Sequence, residues 1–399
     1  MANGNVLAKH TFRIIVNFKD VYIAIVLLLF IKPAIAEDIE ILDFVFNAGR
    51  IGLSIVYVGL IFFKIKKIRK DCLGLLAVFI SIFFMTIIYK GICAKAITHY
   101  LPAIGFLMFI LWNKENLISI FRNAISLGFL LLTLNLVTFL VFPDGLIYRE
   151  SASVRVWLLG QKQDLAGFIF PMLYIAMVLG GISKKYKKTY VYMYIISATT
   201  VFLEQSITAL ICLVVLGILC FLDNFCLLRI RKPFLVSICI IAFGTIQYIS
   251  YNFNSMPWFH TVLLRINTAG ANKVRTLSTR FTMWKFAWNT FLEHPLLGMG
   301  ELSRDNWING VGFYHSILDN IYMDLIMTGG LIGIFLFLTL LIRSFSILNK
   351  YRIEKKIRYM SYCLFAFCIY MLFGSPFYPM SFFMITTAAW FPYLFVKFK

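Results

Sequence analysis

Charge is scarce in this sequence, and acid is scarcer still. Only 14% of the 399 residues are Asp, Glu, Lys or Arg, and 18 acids stand against 38 bases. A chain this long cannot cover a globular surface with so few polar groups, which excludes a water-soluble domain class. Several signatures of chemistry are also missing: a P-loop, a zinc-ligand spacing and a soluble Ser-His-Asp triad. Asp305 has no second close acid, so an Asp-x-Asp metal pattern is absent, and no metal or other cofactor is expected. Gly298-Met-Gly300 has no strand–helix unit around it and reads as a turn. No internal repeat or low-complexity tract is found. Of the eight cysteines, only Cys93 lies near the expected outer face, which excludes an external disulfide framework. They read as small buried fillers of helix interfaces.

What is present is apolar. The chain is 61% hydrophobic, with a mean hydropathy of +0.84. Apolar runs of roughly 17–25 residues recur, the length a helix needs to cross a bilayer. Backbone groups in lipid must be satisfied within the segment, so these runs are expected to be helices. The alternation of a membrane β-barrel is lacking. The pattern predicts an all-α polytopic membrane protein, a single membrane domain over residues 1–399. About twelve spans start near Val21, Ile41, Leu73, His99, Ile125, Phe168, Thr189, Ser206, Leu235, Ile321, Ser361 and Ser381.

Charge sets the expected orientation. The two termini, the loops at Lys64–Lys70, Lys184–Lys188, Arg229–Lys232 and Arg343–Arg358, and the short connection near Lys114 hold 25 of the 38 bases and 5 of the 18 acids. They therefore carry the whole net charge of +20, and the remainder sums to zero. By the positive-inside rule this side is cytoplasmic, with both termini inside. The excess reflects topology and contact with anionic lipid, and no nucleic-acid signal accompanies it. Lys9, Arg13 and Lys19 before Val21–Ile31, then Ala34-Ile35-Ala36, also have the layout of a cleavable signal peptide. A retained first span is the expectation, because the chain is polytopic throughout.

Two long connections are then expected outside, residues 143–167 and residues 251–320. The second, between spans nine and ten, holds three of five histidines (His260, His294, His315) and four of seven tryptophans (Trp258, Trp284, Trp288, Trp307). Within it, Ser278–His294 reads as an amphipathic helix. Phe281, Trp284, Trp288 and Phe291 form one stripe, Ser278 or Thr279 caps the start and Pro295 ends it. Such a helix is expected at the membrane surface with its indoles at headgroup level.

The candidate chemistry lies at the end of this loop. His315 and Asp319 are four residues apart at the mouth of the tenth span. If the helix starts just before His315, both project from one face, and a carboxylate beside an imidazole fixes its tautomer and raises its basicity. The same pair also reads as a plain helix cap in water. Arg280, Arg275, Lys273 and Arg265, with Arg149 and Arg155 of the first outer loop, form a basic set. Arginine grips phosphate oxygens with a two-pronged fork. Ordinary loop charge is the alternative. Asp324, one turn into the tenth span, and Glu204, in the short outer turn between spans seven and eight, are further candidates as carboxylates in or near the membrane.

Three stretches together resemble the O-antigen ligase and Wzy-type polysaccharide polymerase superfamily. One is Ser278-Thr-Arg280-x-x-x-Trp284 followed by Phe291-Leu-Glu-His-Pro295-Leu-Leu-Gly298-Met-Gly300. The others are His315-Ser-x-x-Asp319-Asn320-x-Tyr322 and the run from Asn320 to Gly330-x-x-Gly333. They cover roughly 55 residues; the rest matches only in architecture. The resemblance implies a metal-independent, inverting glycosyl transfer of the membrane-embedded type, in the cytoplasmic (inner) membrane with the active site on the periplasmic or extracellular face. The donor is a glycan on undecaprenyl diphosphate, and the acceptor is a glycan or lipid-linked molecule. It implies diphosphate contact by Arg280, an acceptor hydroxyl handled by His315, and a flippase and a chain-length regulator as partners. Two departures from the pattern stand out. Asp319 occupies the place where ligases of the group usually carry His, which points to a polymerase of O-antigen, capsule or exopolysaccharide. Gln205-Ser206-Ile207 stands where Ser-Arg is common, so Arg149 or Arg155 has to supply the missing charge. The alternatives are a ligase moving a finished glycan to lipid A core, protein or another acceptor, and a transporter of lipid-linked sugars. Transporters show paired broken helices and internal repeats, which the sequence does not display.

Overall fold

The computed structural model describes residues 18–62, 70–149, 154–161, 164–182, 188–223, 270–312, 318–350 and 355–374, with isolated positions at 186, 244–245, 248, 252, 379–381 and 383–385. The long helices are α1 (Phe18–Ile31), α2 (Glu40–Phe62), α3 (Lys70–Ile88), α4 (Cys93–Trp112), α5 (Leu117–Val141), α6 (Leu165–Ile182), α7 (Thr189–Leu203) and α8 (Ile207–Leu222). After them come α9 (Gly270–Glu293), α10 (Arg304–Val311), α11 (Ile321–Lys350) and α12 (Lys355–Tyr370). Among the described residues, 4 helical stretches are long and apolar enough to cross a membrane: Glu40–Leu60, Cys93–Trp112, Lys114–Val141 and Ile321–Lys350. Shorter apolar helices accompany them, and the chain is an integral membrane protein built of helices. The expected span starts from Val21 to Thr189, and those at Ile321 and Ser361, lie inside these helices, and Ser206 directly precedes α8. The start at Leu235 lies outside the described residues, and around Ser381 only 379–381 and 383–385 are described, as helix.

Burial divides the helices into an inner and an outer set. Helix α6 is buried along nearly its whole length, Phe170, Leu173 and Tyr174 at 0% exposure, and it packs against α12, α7 and α5. By contrast α2 exposes Ile41, Phe44, Ile55 and Val56, and α8 exposes Ile211, Val214 and Ile218. Apolar faces turned away from protein in a helix of this composition are faces for lipid. Helix α2 is joined mainly to α4, and a small residue makes that contact close. A methyl group on Gly105 would meet Ser54 Oγ at 2.1 Å. Small residues at crossings let backbones approach where no hydrophobic drive separates lipid from protein.

Polar clusters gather at the two ends of the bundle. At one end Asp20 of α1 binds Ser119 and Arg122 of α5, the latter at 2.8 Å. At that same end Arg358 of α12 grips Asp223 with Nε at 2.7 Å and Nη2 at 2.9 Å, and Tyr362 donates to the same carboxylate. At the other end Lys32 reaches Asp43 at 2.6 Å and Asn47 at 3.2 Å.

Four expectations change. Residues 147–156, read as a connection, fold as a two-stranded antiparallel hairpin, β1 (Ile147–Arg149) with β2 (Val154–Val156), Tyr148 opposite Arg155. The amphipathic helix starts at Gly270, so Ser278 and Thr279 lie inside it and do not cap it. The first half of its stripe faces protein: Phe281 and Trp284 are buried and α9 packs on α11 and α10, whereas Trp288 and Phe291 are half-buried. An apolar stripe is satisfied equally by lipid or by a protein groove, and here the groove is available. The tenth span starts at Ile321 as expected, and Asn320 fixes that start, its Oδ1 accepting from Tyr322 N at 3.0 Å and Met323 N at 3.2 Å, the pattern of an N-cap. Asp319 therefore precedes the helix and is not on its face, and His315 lies outside the described residues.

Finally, α11 is broken. Gly330 has φ 59° and ψ −156°, a conformation open essentially to glycine alone. A Cβ there would lie 2.5 Å from Leu296 O and 2.6 Å from Gly298 N. Gly330→Ala should cost on the order of 1–3 kcal/mol in backbone strain alone, before the clash is counted. The expected outcome is a lower melting temperature in detergent and less protein in the membrane; a wild-type melt would show that the break is dispensable.

Candidate functional site

The break in α11 is filled by the turn that follows α9. His294 closes α9, its N–H reaching Thr290 O at 3.1 Å, and Tyr89 OH lies 3.0 Å from its Nδ1. The chain then runs Pro295-Leu-Leu-Gly-Met-Gly300 through the gap. Met299 N donates to Met327 O and Gly300 N to Thr328 O, each at 2.9 Å. On the far side of the break, Leu331 N donates to Pro295 O at 2.8 Å and Ile332 N to Leu296 O at 3.2 Å. Both broken ends of the helix are thus satisfied by backbone, the condition for irregular chain in an apolar interior.

The next residue, Glu301, drives a charge into the same region. Its side chain is 2% exposed, pairs with Lys95 of α4, and accepts from Tyr100 OH at 3.1 Å. Its N–H is held by Thr86 Oγ1 of α3 at 2.9 Å, and its carbonyl accepts from Ile92 N at 3.3 Å. Asp324 of α11 is buried within electrostatic reach of Glu301 and Lys95. In this clamp the ion pair joins α4 to the turn, Thr86 joins α3 to it, and the backbone bonds at Met299 and Gly300 join it to the first half of α11.

Beside this clamp lies the pair at the centre of the candidate site. Arg280 Nε donates to Asp319 Oδ2 at 2.9 Å, the two side chains being 15% and 12% exposed. Arg280 is placed by α9, whose next turn is anchored by fully buried Trp284 packing edge-on to Phe281 at 5.4 Å. Asp319 is placed by the Asn320 cap and by Ile321 N, which donates to Met371 O after α12 at 3.1 Å. Short helix α10 closes the far side of α9. Ser303 caps it, Gly312 ends it with φ 83°, and its Trp307 packs on Phe286 with ring centroids 5.6 Å apart.

Of the other residues read from sequence, His315 lies outside the described residues, and Arg275 sits on α9 with its side chain outside them. Arg149 pairs by backbone with Val154 in the hairpin. Arg155 binds Asp144 at 2.7 Å on the exposed side of the same hairpin. The Arg149 side chain lies outside the described residues, and among those described no bond joins Arg155 to Arg280 or Asp319. Sequence reasoning missed Lys95 and Glu301. A lysine within an apolar helix was the available signal, but the span was started at His99, which left Lys95 in a connection.

A second polar group sits in the α7–α8 turn. Glu204 Oε1 accepts from Asn135 Nδ2 at 2.8 Å, and Asn135 Oδ1 accepts from Leu159 N at 2.8 Å. Burial pushes the Glu204 carboxyl up to about 7, against the Asn135 hydrogen bond and with help from the charge of Asp164. The field of Asp164 also reaches Tyr370 of α12, as do those of Asp319 and Arg280.

Residues 192–338 match the family described as Wzy_C, O-Antigen ligase, and the resemblance to the O-antigen ligase/Wzy superfamily rests on this segment. No curated protein matches the chain. The matched segment contains Glu204, Arg280, the 294–301 turn, Asp319 and the break in α11. Glu301→Ala, which removes one partner of a buried ion pair, should destabilise the protein by about 3–5 kcal/mol, read from unfolding in detergent. A loss under 1 kcal/mol would mean that the clamp carries little.

Proposed function

We propose that this protein is a glycosyltransferase that polymerises undecaprenyl-diphosphate-linked repeat units at the outer face of the cytoplasmic membrane. The chain then crosses the membrane about twelve times with both termini inside, and the end bearing Arg280, Asp319 and Glu204 faces out. One observation carries the reading: within the matched segment, a half-buried arginine sits at the capped N-terminus of an apolar helix. Such a helix start favours anions, and a guanidinium binds phosphate oxygens.

In this reading Asp319 holds Arg280 while the site is empty. The incoming diphosphate competes for the guanidinium and releases the carboxylate. The acceptor hydroxyl then attacks the anomeric carbon, a C–O bond forms, and the C–O bond to the diphosphate breaks with its electron pair. Arg280 stabilises the leaving diphosphate. His315 receives the hydroxyl proton, and Asp319, set free, orients its imidazole. Attack opposite the leaving group inverts the anomeric configuration, and no metal takes part.

The description of the matched family favours a second reading, transfer of a finished glycan to another acceptor. Asp319 in the position where His is usual in ligases supports the polymerase. The break in α11 is the feature a transporter reading would call on. Its two ends, however, are closed by backbone bonds to the 295–300 turn.

Arg280→Ala and His315→Ala are expected to reduce transfer at least about 100-fold without lowering the amount of protein in the membrane, the scale typical of losing a general base or a charge stabiliser. Full activity in either variant removes that residue from the mechanism. Transfer should also survive EDTA, and its loss on chelation would sink the metal-free step. Surface and lipid-linked glycans of a deletion strain, run on a gel, separate the two reactions. Single repeats in place of a ladder mean polymerase, and full-length glycan stranded on the carrier means ligase.

A further inference from the structure

Glu204 is a buried acid that the transfer step above does not use. It is 6% exposed, and one oxygen is fixed by Asn135. The other, Oε2, has no hydrogen-bond partner among the described residues. A buried polar atom without a partner is a standing cost in a native structure, and such atoms call for an explanation. The arrangement around Glu204 is also built. Asn135 is locked by the backbone N–H of Leu159, so its amide cannot turn over without losing a bond. Asp164 accepts from Gln161 N at 3.0 Å, which closes the turn leading into α6. Three parts of the chain thus converge here: the end of α5, the segment after the β1–β2 hairpin and the α7–α8 turn.

We infer that Glu204, Asn135 and Asp164 form a subsite for the hydroxyl groups of the acceptor glycan. This inference rests on the glycosyltransferase reading. The chemistry argues for the ligand class. A sugar hydroxyl both donates and accepts, and the unmatched Glu204 Oε2, held in place through Asn135, offers it an acceptor when ionised and a donor when protonated. A carboxyl that titrates near neutral pH supplies either partner as required. Charge argues for the position. Two carboxyl groups repel a diphosphate, so the donor's leaving group belongs at Arg280 and the uncharged glycan belongs here. Tyr370 is within the fields of Asp164 and of Asp319 and Arg280, which links the two groups electrostatically. Linking the subsite to Leu159 also gives the 143–167 segment a role. It orients the acceptor pocket, whereas sequence reasoning gave it arginines for the diphosphate.

The test uses the full-length protein in lipid nanodiscs. The donor is the host's own lipid-linked repeat unit, and the acceptor is the free repeat-unit oligosaccharide released from the same glycan by mild hydrolysis. Glu204→Gln keeps the shape and the acceptor for Asn135, and Asp164→Asn keeps the turn. Each is expected to raise KM for the oligosaccharide about tenfold, the scale of one lost hydrogen bond, with KM for the donor within about twofold. Unchanged acceptor KM in both variants, with Arg280→Ala inactive, overturns the subsite and leaves the transferase reading standing. A rise confined to donor KM overturns the assignment to the acceptor. Full activity of Arg280→Ala overturns the transferase reading and the subsite with it. If Glu204→Gln does not fold, Asp164→Asn alone decides, because Asp164 is only half-buried.

Discussion

Backbone groups inside an apolar protein must be paired, and the exchange of hydrogen bonds between the 295–300 turn and the broken α11 answers that demand at the point of greatest difficulty. A helix cut at Gly330 would leave carbonyls and N–H groups stranded where no water reaches. The turn supplies partners to both cut ends, and glycines at 298 and 330 allow the two strands of chain to touch. Everything else at the site hangs from this joint. It sets where Glu301 enters the interior, and thereby where α3 and α4 stand. It also fixes the half-helix that begins with the Asn320 cap and so places Asp319 beside Arg280.

The buried charges then divide into two kinds. Lys95–Glu301 and Arg358–Asp223 are closed pairs with further hydrogen bonds on the carboxylates, and they hold elements together. Arg280–Asp319 and Glu204 are less complete. The first is partly open to solvent, and the second keeps an unmatched oxygen. Incomplete pairing is tolerated where a ligand finishes it, and the proposed site is built on these groups and not on the better-paired ones.

The sequence was most legible where one helix decides its own fate. Apolar run length located the starts of α2, α7 and α11 to within a few residues, because a helix in lipid satisfies itself. It was less legible where two solutions share one pattern. The stripe through Phe281 and Trp284 suits a lipid surface or a protein groove equally, and only the presence of α11 and α10 decides for the groove. The start of α11 at Ile321 was legible from hydropathy, but the Asn320 cap that leaves Asp319 outside the helix was not. The Lys95–Glu301 pair was invisible because its partners stand 206 positions apart. The arginines of 143–167 were overvalued for a similar reason. Composition cannot tell that Arg155 is engaged by Asp144 on its own hairpin.

The joint at Gly330 also bears on how such proteins can be recombined. Its two halves belong to different segments, a loop and a helix, yet neither has a satisfied backbone without the other. A chimera that imports a relative's loop while keeping the resident helix would splice inside a single structural unit. Crossover points therefore belong before His294 and beyond Gly333. Between those limits the chain is inherited whole, and specificity can be exchanged between relatives only as a cassette.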